Sequence, residues 1–270
     1  MADTPRGVIP RVQAQRSHSA FLDAVSPDTA MLNLIEARKL SKRGETAASY
    51  FGAGTDVIVT STVPDRDLDL LSWERELDIV RDVAPDFHIP TDYPTYGNMD
   101  VEQRRENVRE CMTGTIWMGE RLVDTETTLI PLVKGVTAQE REICYRAADD
   151  LEADPAIDVT AGYRAYYATQ YFSAGQGNRI GALVEDVTAI AEECGGNVLL
   201  IGLLSPTYLR RMPSSVVAAA GMNTWRTAVT PRKQTAGEMR SAFATLVEDV
   251  EAAVDLDEQS PTARSGNSGG

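Results

Sequence analysis

The residues of this chain most able to do chemistry lie in short polar stretches that follow apolar runs. The first is His88-Ile89-Pro90-Thr91-Asp92-Tyr93-Pro94-Thr95-Tyr96. Its prolines stiffen the backbone, and Tyr93 and Tyr96 offer flat faces for ring stacking. Asp92 between them can accept a hydrogen bond from a ring N–H or act as general base. An Asp before such a turn also serves simply as its cap, so both readings stand. The second is Lys134, which ends Leu129-Ile130-Pro131-Leu132-Val133-Lys134-Gly135. Of 26 basic residues only Lys39, Lys42, Lys134 and Lys233 are lysine. Where arginine is otherwise the rule, a strand-end lysine suggests a compact donor or a shifted pKa, against the plainer reading of a surface lysine.

A third stretch gathers Tyr163, Tyr166, Tyr167, Tyr171 and Phe172 around Gln170, followed by Gly175-Gln176-Gly177-Asn178-Arg179. Aromatic residues above a Gly-rich turn can stack a base and present backbone N–H groups to an anion. The spacing falls short of a dinucleotide-binding fingerprint, and tyrosines packed outside a sheet are the alternative. The fourth is the segment 205–240, where Arg210, Arg211, Arg226, Arg232, Lys233 and Arg240 face the single acid Glu238. In a chain of net charge −14 a block so depleted of carboxylates points to contact with a polyanion. Burial against the acidic remainder would account for it equally well.

The elements that must position these residues alternate between strand-length apolar runs and segments of helical period, as in repeated βα units around a parallel sheet or barrel. Strands are expected over 7–13, 56–62, 86–91, 128–133, 158–163, 198–203 and 216–220. Helices are expected over 28–43, 68–83, 101–122, 138–151, 179–194 and 236–254. The run Val198-Leu199-Leu200-Ile201-Gly202-Leu203-Leu204 has no polar face, which fits a strand covered on both sides. Seven strands are nearly a barrel. The expected architecture is therefore a single α/β domain over 1–255, a (β/α) TIM-barrel-like fold with the barrel complete or incomplete, and a Ser/Gly-rich disordered tail over 256–270. In such folds ligands bind beyond the carboxyl ends of the strands, where Asp92 and Lys134 stand.

Composition removes several classes of function. Cys111, Cys144 and Cys194 form no Cys-x-x-Cys pair, and His18 and His88 are the only imidazoles. Neither a zinc knuckle, a disulfide framework nor a Ser/His/Asp triad is written here, so no metal and no cofactor are expected, and the three thiols read as buried. No stretch approaches the length of a membrane span and the N-terminus lacks a signal-peptide core, so a cytoplasmic protein without a membrane partner is expected. Forty acidic residues against 26 basic ones, few of them lysine, suggest a surface kept hydrated in strong salt, as in a haloarchaeal cell.

Taken in order, the strand ends resemble the tRNA-guanine transglycosylase superfamily, barrel enzymes that exchange guanine for a 7-deazaguanine in RNA and, in one branch, in DNA. Asp92 in PDFHIPTDYP looks like the family's base-recognising Asp, LIPLVKG resembles its Gln-Gly strand end with Lys134 in place of Gln, and AGYRAYYA resembles its aromatic-Gly strand end. VVAAAGMNTWRTAVTPR resembles the strand leading to the nucleophilic Asp and a Pro-Thr-Arg. Three departures are visible: no Cys/His zinc site, Thr60-Ser61-Thr62 where the family has Asp-Ser-Gly-Gly, and Asn223 or Thr224 in place of the nucleophilic acid. IGLLSPTYLRRMP and VVAAAGMNTWR also resemble a haloarchaeal and halovirus family.

The resemblance implies base exchange on nucleic acid, DNA rather than tRNA; as to assembly, a homodimer is the open expectation. Asp92, Lys134 and Asn223 would be catalytic. Tyr93, Tyr96, Tyr163, Tyr167 and Gln170 would hold the base, and Arg226, Arg232 and Lys233 the phosphates. A catalytically inactive nucleic-acid-binding barrel, or a barrel enzyme acting on a phosphorylated metabolite through the Gly175 to Arg179 turn, are the competing expectations. The charge balance makes the first prediction. Like charges lose their repulsion as salt screens them, so the melting temperature should rise between 0.1 M and 3 M KCl, and a flat profile would reject the halophilic reading.

Overall fold

The computed structural model describes residues 4–68, 71–172 and 179–254. The expected tail over 256–270 and the turn at Gly175, Gln176, Gly177 and Asn178 lie outside them. Nine strands run parallel: β1 (Gly7–Val12), β2 (Thr29–Asn33), β3 (Asp56–Thr60), β4 (Phe87–Ile89), β5 (Thr128–Leu129), β6 (Leu132–Val133), β7 (Tyr163–Tyr167), β8 (Asn197–Ile201) and β9 (Val216–Gly221). Their spatial order is β5-β4-β3-β2-β1-β9-β8-β7-β6. The two edges, β5 and β6, are halves of one extended segment that Pro131 divides, because proline has no N–H to give to the ladder. Through that segment, which pairs β4 on one side and β7 on the other, the sheet curls round as an incomplete TIM-like barrel.

Helices α1 (Arg16–Val25), α2 (Leu34–Ser41), α3 (Ala47–Phe51), α4 (Asp65–Leu68), α5 (Trp73–Val83), α6 (Val101–Leu122), α7 (Ala138–Ala153), α8 (Ile180–Cys194), α9 (Pro206–Leu209), α10 (Asn223–Ala228) and α11 (Ala236–Val254) surround it. One apolar cluster fills the barrel interior, with Ile9, Met31, Ile58, Ile89, Leu132, Ala165, Ile201 and Ala220 drawn from successive strands. The outward-facing residues join a second cluster with the helices. Both faces of each strand are thus covered, which is why these runs carry little polar alternation.

One helix expectation and one strand expectation change. The helix expected over 28–43 begins only at Leu34, because Thr29–Asn33 is the buried strand between β1 and β3. Met31, Leu34, Ile35 and Leu40 fit a helical period, but Ala30, Met31 and Leu32 are an unbroken apolar run that suits a strand covered on both sides. The strand expected over 158–163 contributes only a bridge from Val159 to Leu129, and the regular strand is Tyr163–Tyr167. Gly162 turns the chain between them at φ +61. The helix over 68–83 is divided, α5 starting afresh where the Ser72 side chain accepts from the Arg75 N–H. Helix α1 has no side-chain cap at its start, and none of the expected elements covers it. Cys194, expected buried, is half-buried, whereas Cys111 and Cys144 are buried.

α1, α10 and α11 meet over β1, where Phe21 stacks on Trp225 with ring centroids 4.2 Å apart and meets Phe243 edge-on at 5.3 Å. His18 joins this group, its Nδ1 accepting from the Gln13 N–H at 2.8 Å. Burial, then the charge of Arg226, hold His18 down to about 4 from its ordinary 6.5, against the pull of Glu36. Its folded-state value lies below the unfolded one, so the unfolded chain binds more protons between those values and stability falls as pH drops through that window. His18→Gln should flatten this decline relative to wild type in urea midpoints measured from pH 7.5 to 4; parallel profiles would show that other groups carry it.

Candidate functional site

Every βα connection delivers its first polar residues to the same end of the barrel. At the end of the β5–β6 segment the Lys134 Nζ donates to Asp92 Oδ1 at 2.5 Å. The pair is buried, with side-chain exposures of 10% for Lys134 and 8% for Asp92. Burial pushes the Asp92 carboxyl up, and Lys134 opposes it. Burial alone would lower Lys134, but the carboxylate of Asp92 leaves it above its ordinary value, an ammonium held in place.

Asp92 is aimed by the residue before it. Thr91 has φ +48, a left-handed conformation that a β-branched residue adopts at a cost of about 1–3 kcal/mol. Two buried contacts hold it there: its N–H donates to Glu76 Oε1 at 2.9 Å, and Cys111 Sγ donates to its carbonyl at 2.7 Å. Glu76 Oε1 also accepts from Ser61 Oγ at 2.5 Å and faces His88 Nε2 at 2.8 Å, while His88 Nδ1 faces the Val59 carbonyl at 2.9 Å. Gly114 of α6 makes room for Thr91, since a Cβ there would lie 2.6 Å from Thr91 Cγ2.

A cavity of about 520 Å³ opens above this pair, lined by Asp65, Asp92, Tyr93, Tyr96, Lys134, Tyr167 and Gln170, among others. The volume lies in the range of small-molecule sites. Tyr96 is fixed across it by donating its hydroxyl to Asp65 Oδ1 at 2.8 Å. Six of the residues singled out in the sequence, Asp92, Lys134, Tyr93, Tyr96, Tyr167 and Gln170, therefore converge on one space.

The others do not. Tyr163 lies inside the barrel near its other end, 1% exposed, its hydroxyl donating to the Pro5 carbonyl at 2.6 Å. It cannot stack a ligand, because alternation along β7 sends Tyr163, Ala165 and Tyr167 to the same interior face but at successive depths. Tyr166 points outward to Tyr171, which bonds Asp186 of α8. Asn223 opens α10 and is absent from the lining of the Asp92 cavity. Arg226, Arg232 and Lys233 are exposed and line a separate cavity of about 290 Å³ with Gln15, His18 and Trp225, in the segments that follow β1 and β9.

Sequence reasoning missed Asp65, the Glu76–His88–Ser61 network and Arg11. Glu76 lies in the first turn of α5, where an acid is an ordinary helix-start residue and looks solvent-facing. The one readable signal was His88, a polar residue inside an apolar strand, which needs a buried partner.

No protein-family model matches the chain, and none of the curated proteins is significantly similar to it. Among the described residues no group of three or more His, Cys, Asp or Glu side chains is placed to hold a metal ion, and no helix is long and apolar enough to cross a membrane.

Burial of the pair changes what a substitution at Asp92 does. A carboxylate in an exposed loop could be replaced cheaply, but removing one partner here strands a buried charge and should cost about 3–5 kcal/mol. Asp92→Asn and Lys134→Met should each show that loss in urea unfolding, and the double variant should lose clearly less than the sum of the two. Additive losses would show that the two side chains are not paired.

Proposed function

We propose that the barrel mouth binds a nitrogen heterocycle and that the protein is a base-exchange enzyme acting on nucleic acid, of the guanine-to-7-deazaguanine transglycosylase type. The observation that carries the reading is the convergence of Asp92, Lys134 and the rings of Tyr93, Tyr96 and Tyr167 on one cavity. A base drawn out of its stack needs flat walls and a polar edge to meet its own, and this cavity supplies both. The wall of exposed Arg226, Arg232 and Lys233 lies on the same end of the barrel, a place for the phosphates of a polynucleotide. The absence of a Cys/His cluster from the sequence favours DNA over tRNA as the polymer.

In this reading Asp92, kept ionised by Lys134, attacks the sugar C1′. The new C–O bond forms as the C1′–N bond to the base breaks, and the electron pair leaves on the base nitrogen, where Lys134 can donate a hydrogen bond or proton. The incoming base then attacks C1′ through a ring nitrogen whose proton returns to the Lys134 amine that protonated the departing base, and the C1′–O bond breaks to release the carboxylate. An amide such as Asn223 is a poor nucleophile, and Asn223 does not line the cavity. The same two facts favour a second reading, a barrel that binds nucleic acid without reacting, if the ion pair holds Asp92 too firmly to attack.

Incorporation of labelled guanine or a 7-deazaguanine into DNA and RNA separates them. Asp92→Asn should lower exchange at least a thousandfold, whereas Asn223→Ala should lower it less than about tenfold, the worth of one hydrogen bond. Exchange at full rate in Asp92→Asn removes the mechanism, and no exchange by the wild-type protein together with tight polynucleotide binding selects the second reading.

A further inference from the structure

The last interior layer at the carboxyl end of the barrel holds one charge without a counter-charge. Two residues beyond Ile9, Met31, Ile58, Leu132 and Ala165, all in the interior cluster, the strands place Arg11, Asn33, Thr60, Lys134 and Tyr167. Four of these have found partners within the protein. Asn33 accepts from the Glu36 N–H, Thr60 shares a hydrogen bond with Thr62, Lys134 pairs with Asp92, and the Tyr167 hydroxyl neighbours the Arg11 guanidinium.

Arg11 alone carries a full charge answered only by neutral oxygens. Its Nη2 donates to the Thr62 carbonyl at 3.3 Å, at the long end of the range, and Tyr167 supplies its other contact; among the described residues no carboxylate pairs with it. Burial pulls its pKa down, and Tyr167 only partly restores it. The backbone beneath is rigidly held, because the buried Trp225 donates its Nε1–H to the Arg11 carbonyl at 2.9 Å. A half-buried guanidinium without a counter-charge is unfavourable by itself and becomes favourable when an anion arrives. Lys134 and Tyr167 of the same layer line the cavity above Asp92, and the Thr62 carbonyl that Arg11 meets adjoins Val63 of its wall, so Arg11 stands at the cavity's border and one ligand can reach both.

We infer that Arg11 is the anion-binding residue of the barrel mouth and takes a phosphate of the ligand whose base lies against Asp92 and Lys134. The phosphate assignment rests on the base-binding reading above. The substrate class that follows is a nucleotide, free or within a polynucleotide, in preference to a free base or nucleoside.

Inorganic phosphate is the first probe, exchanged for chloride at constant ionic strength in the Arg226→Gln/Arg232→Gln protein so that the outer cations do not report. Phosphate should raise the melting temperature of that protein, and Arg11→Gln should weaken the apparent affinity at least tenfold. Arg11→Lys keeps a charge but loses the two-pronged donor and should weaken it about fivefold, which preserves the test if the glutamine variant does not fold. No phosphate response before Arg11 is changed, or an equal affinity in either Arg11 variant, overturns the inference. Guanosine and guanosine 5′-monophosphate form the second arm. A tenfold preference for the nucleotide that disappears with Arg11 supports it, and equal binding of the two overturns it. A phosphate response that depends on Arg11, with neither guanine compound bound, leaves the anion site standing and rejects the base-binding reading alone. Tighter binding of a guanine dinucleotide than of the mononucleotide identifies a polymer as the source of the phosphate.

Discussion

A parallel sheet has two edges whose N–H and C=O groups need partners, and here one short segment supplies both. Residues 128–133 pair with β4 through Thr128 and Leu129 and with β7 through Leu132 and Val133. The segment is thin at Pro131, yet the ladder bridges it: the Ile130 N–H donates to the His88 carbonyl at 2.8 Å and the Ala165 N–H to the Pro131 carbonyl at 2.9 Å. Lys134 is the next residue along the same segment. The geometry that joins the edges therefore also fixes the ammonium opposite Asp92, on the neighbouring strand end. Structure and site share a single constraint.

The helical layer beside this segment is held by paired charges. Glu140 closes the first turn of α7, accepting from the N–H groups of Val136 and Thr137, and meets the buried Arg104 of α6 at 2.9 Å. Those contacts hold its carboxyl below the usual range, against the effect of burial, which alone would raise it. Arg141 grips Glu193 of α8 with Nε and Nη2 at 2.7 and 2.8 Å, and Arg164 reaches Glu152 at 2.7 Å. Two-pronged contacts of this kind explain why the chain relies on arginine where it must bury a cation, and why the buried Lys134 is distinctive: a compact ammonium fits beside one carboxylate oxygen and leaves the rest of Asp92 toward the cavity.

This also explains which parts were legible in the sequence. Asp92 and Lys134 could be found because parallel α/β folds gather strand ends, so a carboxylate and a rare lysine at such ends had to approach one another. The barrel could be found because the apolar runs are separated by long helical segments. Thr29–Asn33 was hidden because a strand buried on both faces has no period of its own, and a following helix lends it one. Tyr163 misled because neighbouring tyrosines on one strand differ in face and depth, which residue type does not encode. Arg11 was silent for another reason: its significance lies in a missing counter-charge, a property of the closed ring of neighbours and not of the segment GVIPRV.

Salt sharpens the distinction between the two groups of cations. If this acidic protein works at molar salt, the Debye length is about 3 Å and exposed Arg232 and Lys233 attract phosphate only at contact. Mobile ions enter the barrel mouth less freely, and a guanidinium there, backed by apolar strands and by Tyr167, keeps more of its field. An anion held at that depth is also fixed in direction relative to Asp92 and Lys134, which an outer contact through flexible side chains cannot achieve. In the proposed base-exchange reading, strong salt would thus shift recognition away from the exposed cations and into the barrel, where stacking on tyrosine and one poorly screened charge would act together.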